Sequence, residues 1–167
     1  HGRGLQRISD VRMAPCWTAM LGFDEPVDTG AEAHRWTAGP LVWAACDSSK
    51  PQRPAGMQCW VVHASSGWSR EHLGDDSGDV AQLLWQAFAT ACGLERPTPR
   101  WLRAHRWRYA LVEQALGQPC LVDEESAAGA CGDWCIAPRV EAAFESGRAL
   151  AHSLLPMVGL SSPALLR

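Results

Sequence analysis

The residues with most chemistry to offer stand late in the chain, in GACGDWCIAPRVEAAFESGRALA, residues 129 to 151. A run of very small residues reaches Gly132-Asp133, crosses a short loop to Pro138, and enters an apolar-periodic stretch opening at Arg139. The first turn of a helix carries N–H groups without a partner inside the helix. With the positive end of the helix dipole, they draw an electron-rich or anionic group. Gly129, Ala130 and Gly132 let such a group approach the backbone closely. Asp133 can accept hydrogen bonds from the hydroxyls of a sugar-like chain. Gly147, inside the helix, points to close packing against a neighbour, since glycine there costs about 1 kcal/mol relative to alanine. An ordinary β–α turn with a capping aspartate fits the same spacing.

A second stretch, RWLRAHRWRY over 100–109, alternates at strand period. Trp101, Arg103, His105, Trp107 and Tyr109 share one face, and Leu102, Ala104, Arg106 and Arg108 the other. Neither is plainly a core face, so burial alone does not explain the strand. Rings mixed with Arg and His line cavities for flat ligands with polar edges, which makes His105, Trp107 and Tyr109 candidate substrate-side walls. An edge strand whose arginines stack on its own tryptophans is the other reading.

The remaining reactive groups fit no catalytic pattern. Cys59 and His63 share a strand face, and Cys131 and Cys135 are four apart, yet structural zinc prefers two paired clusters of ligands; no metal site is expected. No oxyanion-hole signal accompanies a cysteine working with His105, so no side chain is assigned as catalytic. Cys131, among small residues, is expected to pack as a small hydrophobe. Asp47-Ser48-Ser49-Lys50 could hold a phosphate but reads more simply as an Asx turn.

The elements that must position these residues are legible in part. CWTAMLGF (16–23), LVWAAC (41–46) and MQCWVVHA (57–64) read as strands, with Trp17, Ala19, Leu21 and Phe23 on one face of the first. Turn formers in 24–30 and 47–54 separate them and imply an antiparallel sheet. A helix follows, with Val80, Leu83, Leu84, Ala87 and Ala91 as its buried stripe, Ser77 as its cap and Gly93 as its stop. Pro97 and Pro99 break the chain before the alternating segment. Then come a short strand CLVD (120–123), a second strand over 127–133, and a helix from Arg139. That helix sets Val140, Ala143, Phe144, Gly147, Ala151 and Leu154 on one side, with Pro138 in its first turn and Pro156 at its end.

At 167 residues, with 20% charged and 47% apolar residues, the composition is that of a folded chain. The net charge of -3 is unclustered, so neither nucleic acid nor an anionic membrane is an expected partner. No apolar run is long enough to span a bilayer and no leader is seen, so the expected compartment is the cytoplasm. The odd count of seven cysteines then fits reduced thiols. Nine tryptophans against one tyrosine is a strong bias, and the start at His1 in a polar stretch reads as the middle of something longer.

The segment CGDWCIAPRVEAAFESGRALA closely resembles the C-terminal flavin motif of FAD-dependent amine-oxidase-type flavoproteins, above all the bacterial renalase-like branch. HRWRYA (105–110), WAACDSSKP (43–51) and CWTAMLGFDEP (16–26) look like the same branch in the same order. The resemblance implies an α+β fold. Residues 1–112 would be the antiparallel-sheet substrate domain with a helix over about 78–92. Residues 113–167 would hold the terminal strand and helix of a Rossmann-type FAD-binding domain. Gly132, Asp133, Arg139, Val140 and Glu141 would bind FAD, the helix tip facing the flavin's N1/C2=O edge. The implied reaction is hydride transfer to flavin from a small-molecule substrate, an amine or a reduced nicotinamide-like dinucleotide. The GxGxxG turn of such enzymes is not found here, so a missing N-terminal FAD-binding half is the expected partner. A non-catalytic α+β interaction domain with a Trp-rich sheet face is the competing expectation.

Overall fold

The computed structural model describes residues 3–95 and 98–159; Pro97 and His1 lie outside the described residues. Contacts divide the chain into two units, one formed by Pro15–Ala110 and the other by residues up to Ala14 together with Leu111 onward.

The first unit is built on a five-stranded sheet of β1 (Arg12–Phe23), β2 (Ala33–Arg35), β3 (Leu41–Cys46), β4 (Gln58–Ala64) and β5 (Trp101–Gln114), in the order β2-β3-β4-β1-β5. The pairs β2/β3, β3/β4 and β1/β4 are antiparallel. β2, within EAHRWT, carries no alternating signal of its own and forms by pairing with β3. The register places Leu21 opposite Trp60, Ala19 opposite Val62, and Ala44 opposite Val62, so one sheet face collects the apolar residues.

That face is closed by α1 (Ser66–Glu71), which the sequence does not announce, and α2 (Ser77–Cys92). Val80, Leu84 and Phe88 of α2 join Trp17, Phe23 and Trp60 in the core, with the rings of Trp60 and Phe88 5.2 Å apart. The buried stripe is Val80, Ala81, Leu84 and Phe88; Leu83 and Ala91 are exposed, because the helix is rotated so that Phe88, its largest apolar ring, enters the core. Asp76, not Ser77, caps the helix: its carboxylate accepts the Gly78 N–H at 2.7 Å. Gly93, at φ 67, ends it in the left-handed conformation glycine adopts freely.

In the second unit β6 (Leu121–Asp123) and β7 (Ala128–Ala130) form an antiparallel hairpin, and α3 spans Val140–Leu154. Leu116, Leu121 and Cys135 form its small core, with Leu5, Val11 and Trp134 against it. Gly4 lies directly on the Val122 carbonyl, where any Cβ would collide. The fold class is α+β with an antiparallel sheet, as the sequence implies. Among the described residues no helix is long and apolar enough to cross a membrane.

Leu84→Ala should lower stability by about 2–5 kcal/mol in urea unfolding, since Leu84 is 0% exposed. Leu83→Ala, at 40% exposure, should change it by less than about 1 kcal/mol.

Candidate functional site

Two groups of residues carry the chemistry, one in each unit. In the second unit, β7 ends at Ala130, and Asp133 opens a separate 3-10 turn, Asp133–Cys135. The expected strand over 127–133 is therefore shorter, because the chain turns at Gly132 to bury Cys135. Asp133 Oδ1 accepts the Trp134 N–H at 2.9 Å, and its backbone carbonyl takes the Ile136 and Ala137 N–H groups. Its carboxylate thus caps the turn with one oxygen.

Ser146, fully buried on α3, fastens this turn to the helix. Its hydroxyl accepts the Gly132 N–H at 3.0 Å and donates to the Pro119 carbonyl. Sequence spacing does not reveal Ser146, because the apolar period marks another side of α3. The helix buries Ala142 and Ser146 and leaves Val140 and Phe144 at 84% and 65% exposure. Of the apolar stripe read from the sequence, Val140, Ala143 and Phe144 face outward, while Gly147, Ala151 and Leu154 are half-buried.

The small residues do not behave alike. A Cβ on Gly129 would strike Leu150 and the Leu121 carbonyl, so Gly129 serves close packing within the protein. At Gly132 the indole of Trp134 covers the backbone, so a ligand cannot come close there in this conformation. Gly147 has open space beside it rather than the expected packed neighbour. Cys131 is exposed, and Cys135 is the cysteine that packs as a hydrophobe.

Arg139 is the N-cap residue of α3 in extended conformation, so Pro138 precedes the helix rather than entering its first turn. Its guanidinium pairs with Glu145 at 3.4 Å on the exposed surface. No side chain caps α3, which leaves the first-turn N–H groups, those of Val140 and Glu141 among them, without a side-chain acceptor.

In the first unit the alternating strand β5 has a core face after all. Leu102 and Ala104 pack against the core, and Arg106 lies 5.4 Å over the Trp17 ring while donating to the Leu73 carbonyl. An arginine does stack on a tryptophan, but the ring belongs to β1. Trp101, Arg103, His105, Trp107 and Tyr109 therefore share the opposite sheet face. His105 and Trp107 are in edge-to-face contact at 4.4 Å, whereas Tyr109 is 79% exposed.

Register extends this ringed face to residues the sequence reading did not assign. Trp43, His63 and Thr18 form one cross-strand row, and His63 Nδ1 is 3.8 Å from Cys16 Sγ. Alternation in β1, β3 and β4 carried that signal, but strand pairing was needed to join the rows. Burial holds the His63 imidazole below its ordinary range. Burial also pushes the Cys16 thiol up, against smaller lowering by its hydrogen bonds to Thr18 and the Ala64 carbonyl. A cysteine nucleophile needs the opposite shifts, toward thiolate and imidazolium. Cys16 and His63 are both shifted away from that state. The Ser48 and Ser49 hydroxyls are used inside the fold, on Cys59 N–H, the Met57 carbonyl and the Cys46 carbonyl, and Asp47 pairs with Lys50 and Arg53.

A scan of the chain against models of known protein families finds no match. Among solved structures, the fold is like part of a candidate protoporphyrinogen oxidase from Exiguobacterium sp. 255-15. The two are 15% identical with a TM-score of 0.54, over 69% of this chain and 27% of that one. The chain thus spans about a quarter of that protein's length. The likeness is one of fold.

A depressed histidine stabilises the folded state above its unfolded value of about 6.5, and that contribution is lost as pH falls through the lower folded value. His63→Gln should accordingly make stability fall less between pH 7.5 and pH 5 than it does in the parent, measured as urea midpoints at each pH.

Proposed function

We propose that this chain is part of an FAD-dependent oxidoreductase of the amine-oxidase type, in its renalase-like branch. In this reading Pro15–Ala110 forms the substrate wall and the later unit holds an edge of the flavin. The observation that carries it is the two-sided sheet. One face is sealed by α1 and α2; the other presents Trp43, Trp101 and Trp107 at 42%, 42% and 53% exposure beside His63 and His105. Such a face suits a flat, apolar substrate with polar edges. The sequence motif over 131–151 and the fold likeness support the same reading.

FAD, when bound, would supply the hydride acceptor. The residues present fit its edge in part: the uncapped tip of α3 at Arg139, Val140 and Glu141 offers donors to an anionic edge, and Asp133 keeps one oxygen for a hydroxyl. Gly132 would widen the site only if the Trp134 ring moved. The pyrophosphate cradle would come from the N-terminal half of such a flavoprotein, and the exposed Val140 and Phe144 would be covered by it. The protein's own contribution is positioning and water exclusion: Trp107, braced by His105, would hold the donor carbon's ring system flat. The donor would be an amine or a reduced nicotinamide-like dinucleotide, in the cytoplasm.

In protein assembled with an FAD-binding half, Asp133→Ala should lower FAD affinity about tenfold or more, followed by flavin absorbance. Trp107→Ala should depress substrate turnover while flavin retention stays near the parent's. If Asp133→Ala retains flavin as well as the parent does, Asp133 is not a cofactor ligand.

A further inference from the structure

The second unit holds three cysteines, Cys120, Cys131 and Cys135, that the proposed flavin site does not use. In its hairpin Leu121 pairs with Ala130, Val122 with Gly129 and Asp123 with Ala128. Continuing that register by one residue sets Cys120 opposite Cys131. Ser146 fixes the next position along, because its one hydroxyl oxygen accepts the Gly132 N–H and donates to the Pro119 carbonyl. Cys120 and Cys131 are therefore bracketed on both sides by neighbours tied across the gap. Gly132 keeps an extended backbone, at φ 161 and ψ 175, so the strand direction runs on through Cys131.

Opposite residues of an antiparallel pair lie about 4.5–5.5 Å apart at Cα and project to one face. A disulfide spans about 4.4–6.8 Å between Cα atoms, so the register brings this pair within bonding range. Cys131 is exposed and Cys120 half-buried, which lets an oxidant reach the pair from solvent. Cys135, four residues further on, is a poor competitor because it is fully buried. Burial pushes its thiol up, against lowering by its hydrogen bonds to Ser146 and Gly132, and the nearby Cys120 and Cys131 add to the rise. A thiol held protonated is the unreactive form.

We propose that Cys120 and Cys131 are a reversible oxidation site, which hydrogen peroxide converts to a disulfide across the end of the hairpin. The Cys131 thiolate attacks one peroxide oxygen, the O–O bond breaks, and the other oxygen takes a proton and leaves as water. The Cys120 thiolate then attacks the sulfur of the sulfenic acid so formed. The S–S bond closes, and the hydroxide that leaves is protonated to a second water. Two thiols lose two electrons, and the peroxide is reduced to two waters. The link closes the loop 120–131 directly before Asp133, fixing the strand ends from which the turn toward α3 departs. This goes beyond the flavin reading and stands whether or not Asp133 holds a cofactor.

The reduced intact chain is treated with equimolar hydrogen peroxide, and its remaining thiols are then blocked. Cleavage without reductant after Glu124 or Glu125 and before Asp133 puts each of the three cysteines in a separate peptide. Mass spectrometry should find the Cys120 peptide joined to the Cys131 peptide, with the Cys135 peptide carrying the blocking group. Excess reduced glutathione should release the link. In Cys120→Ser, whose changed residue is only half-buried, Cys131 should persist as a sulfenic acid that dimedone traps. A disulfide from Cys135 to either partner, a link between two chains through Cys131, or oxidised Cys131 without a link in the parent would overturn the proposal. So would a link that excess glutathione leaves in place.

Discussion

The placement of Leu84 and Phe88 against Trp17, Phe23 and Trp60 is the constraint on which the sheet's asymmetry depends. A strand has two faces and period two, so once α2 seals one of them every odd or even residue is committed together. Trp17 and Val62 face the helices; Thr18, still buried, and His63, half-buried, face the other way. The ringed surface is a consequence of where the helix packs, and slipping one strand by a single residue would exchange the two sides. This is why core packing and the proposed substrate wall cannot be altered independently.

The second unit rests on a different kind of tie. Its core is small, built on Leu116, Leu121 and Cys135, so polar links matter more in fixing its turns. Ser146 joins α3 to both Gly132 and Pro119, while Leu116 and Gly117 donate to the Trp134 and Cys135 carbonyls. The geometry around Asp133 is therefore held by hydrogen bonds from two other stretches of chain, 116–117 and α3. A buried hydroxyl with both a donor and an acceptor satisfied is costly to remove.

Much of the sheet was readable in the residues. CWTAMLGF, LVWAAC and MQCWVVHA alternate strongly enough to identify β1, β3 and β4, and Gly93 marks the end of α2 by its backbone freedom. β2 and α1 were not readable because each is short and is formed by tertiary contacts rather than by local preference. On α3 the period was legible but its direction was not, since an exposed apolar stripe and a buried one look alike in sequence. At the candidate site, the type and spacing of Gly132, Asp133 and Arg139 were evident. That Trp134 covers Gly132 and that Ser146 anchors it depends on side-chain placement, which no spacing rule conveys.

Gly4 lies against Val122 and Asp123 with no room for a side chain, and Arg7 reaches Gln118 at 2.8 Å. The earliest described residues are thus part of a unit whose other members emerge more than a hundred positions later. Residues 15–110 lie in sequence between the two parts of that unit, so the turn over Arg3–Asp10 can meet its hairpin only after the whole sheet has been made.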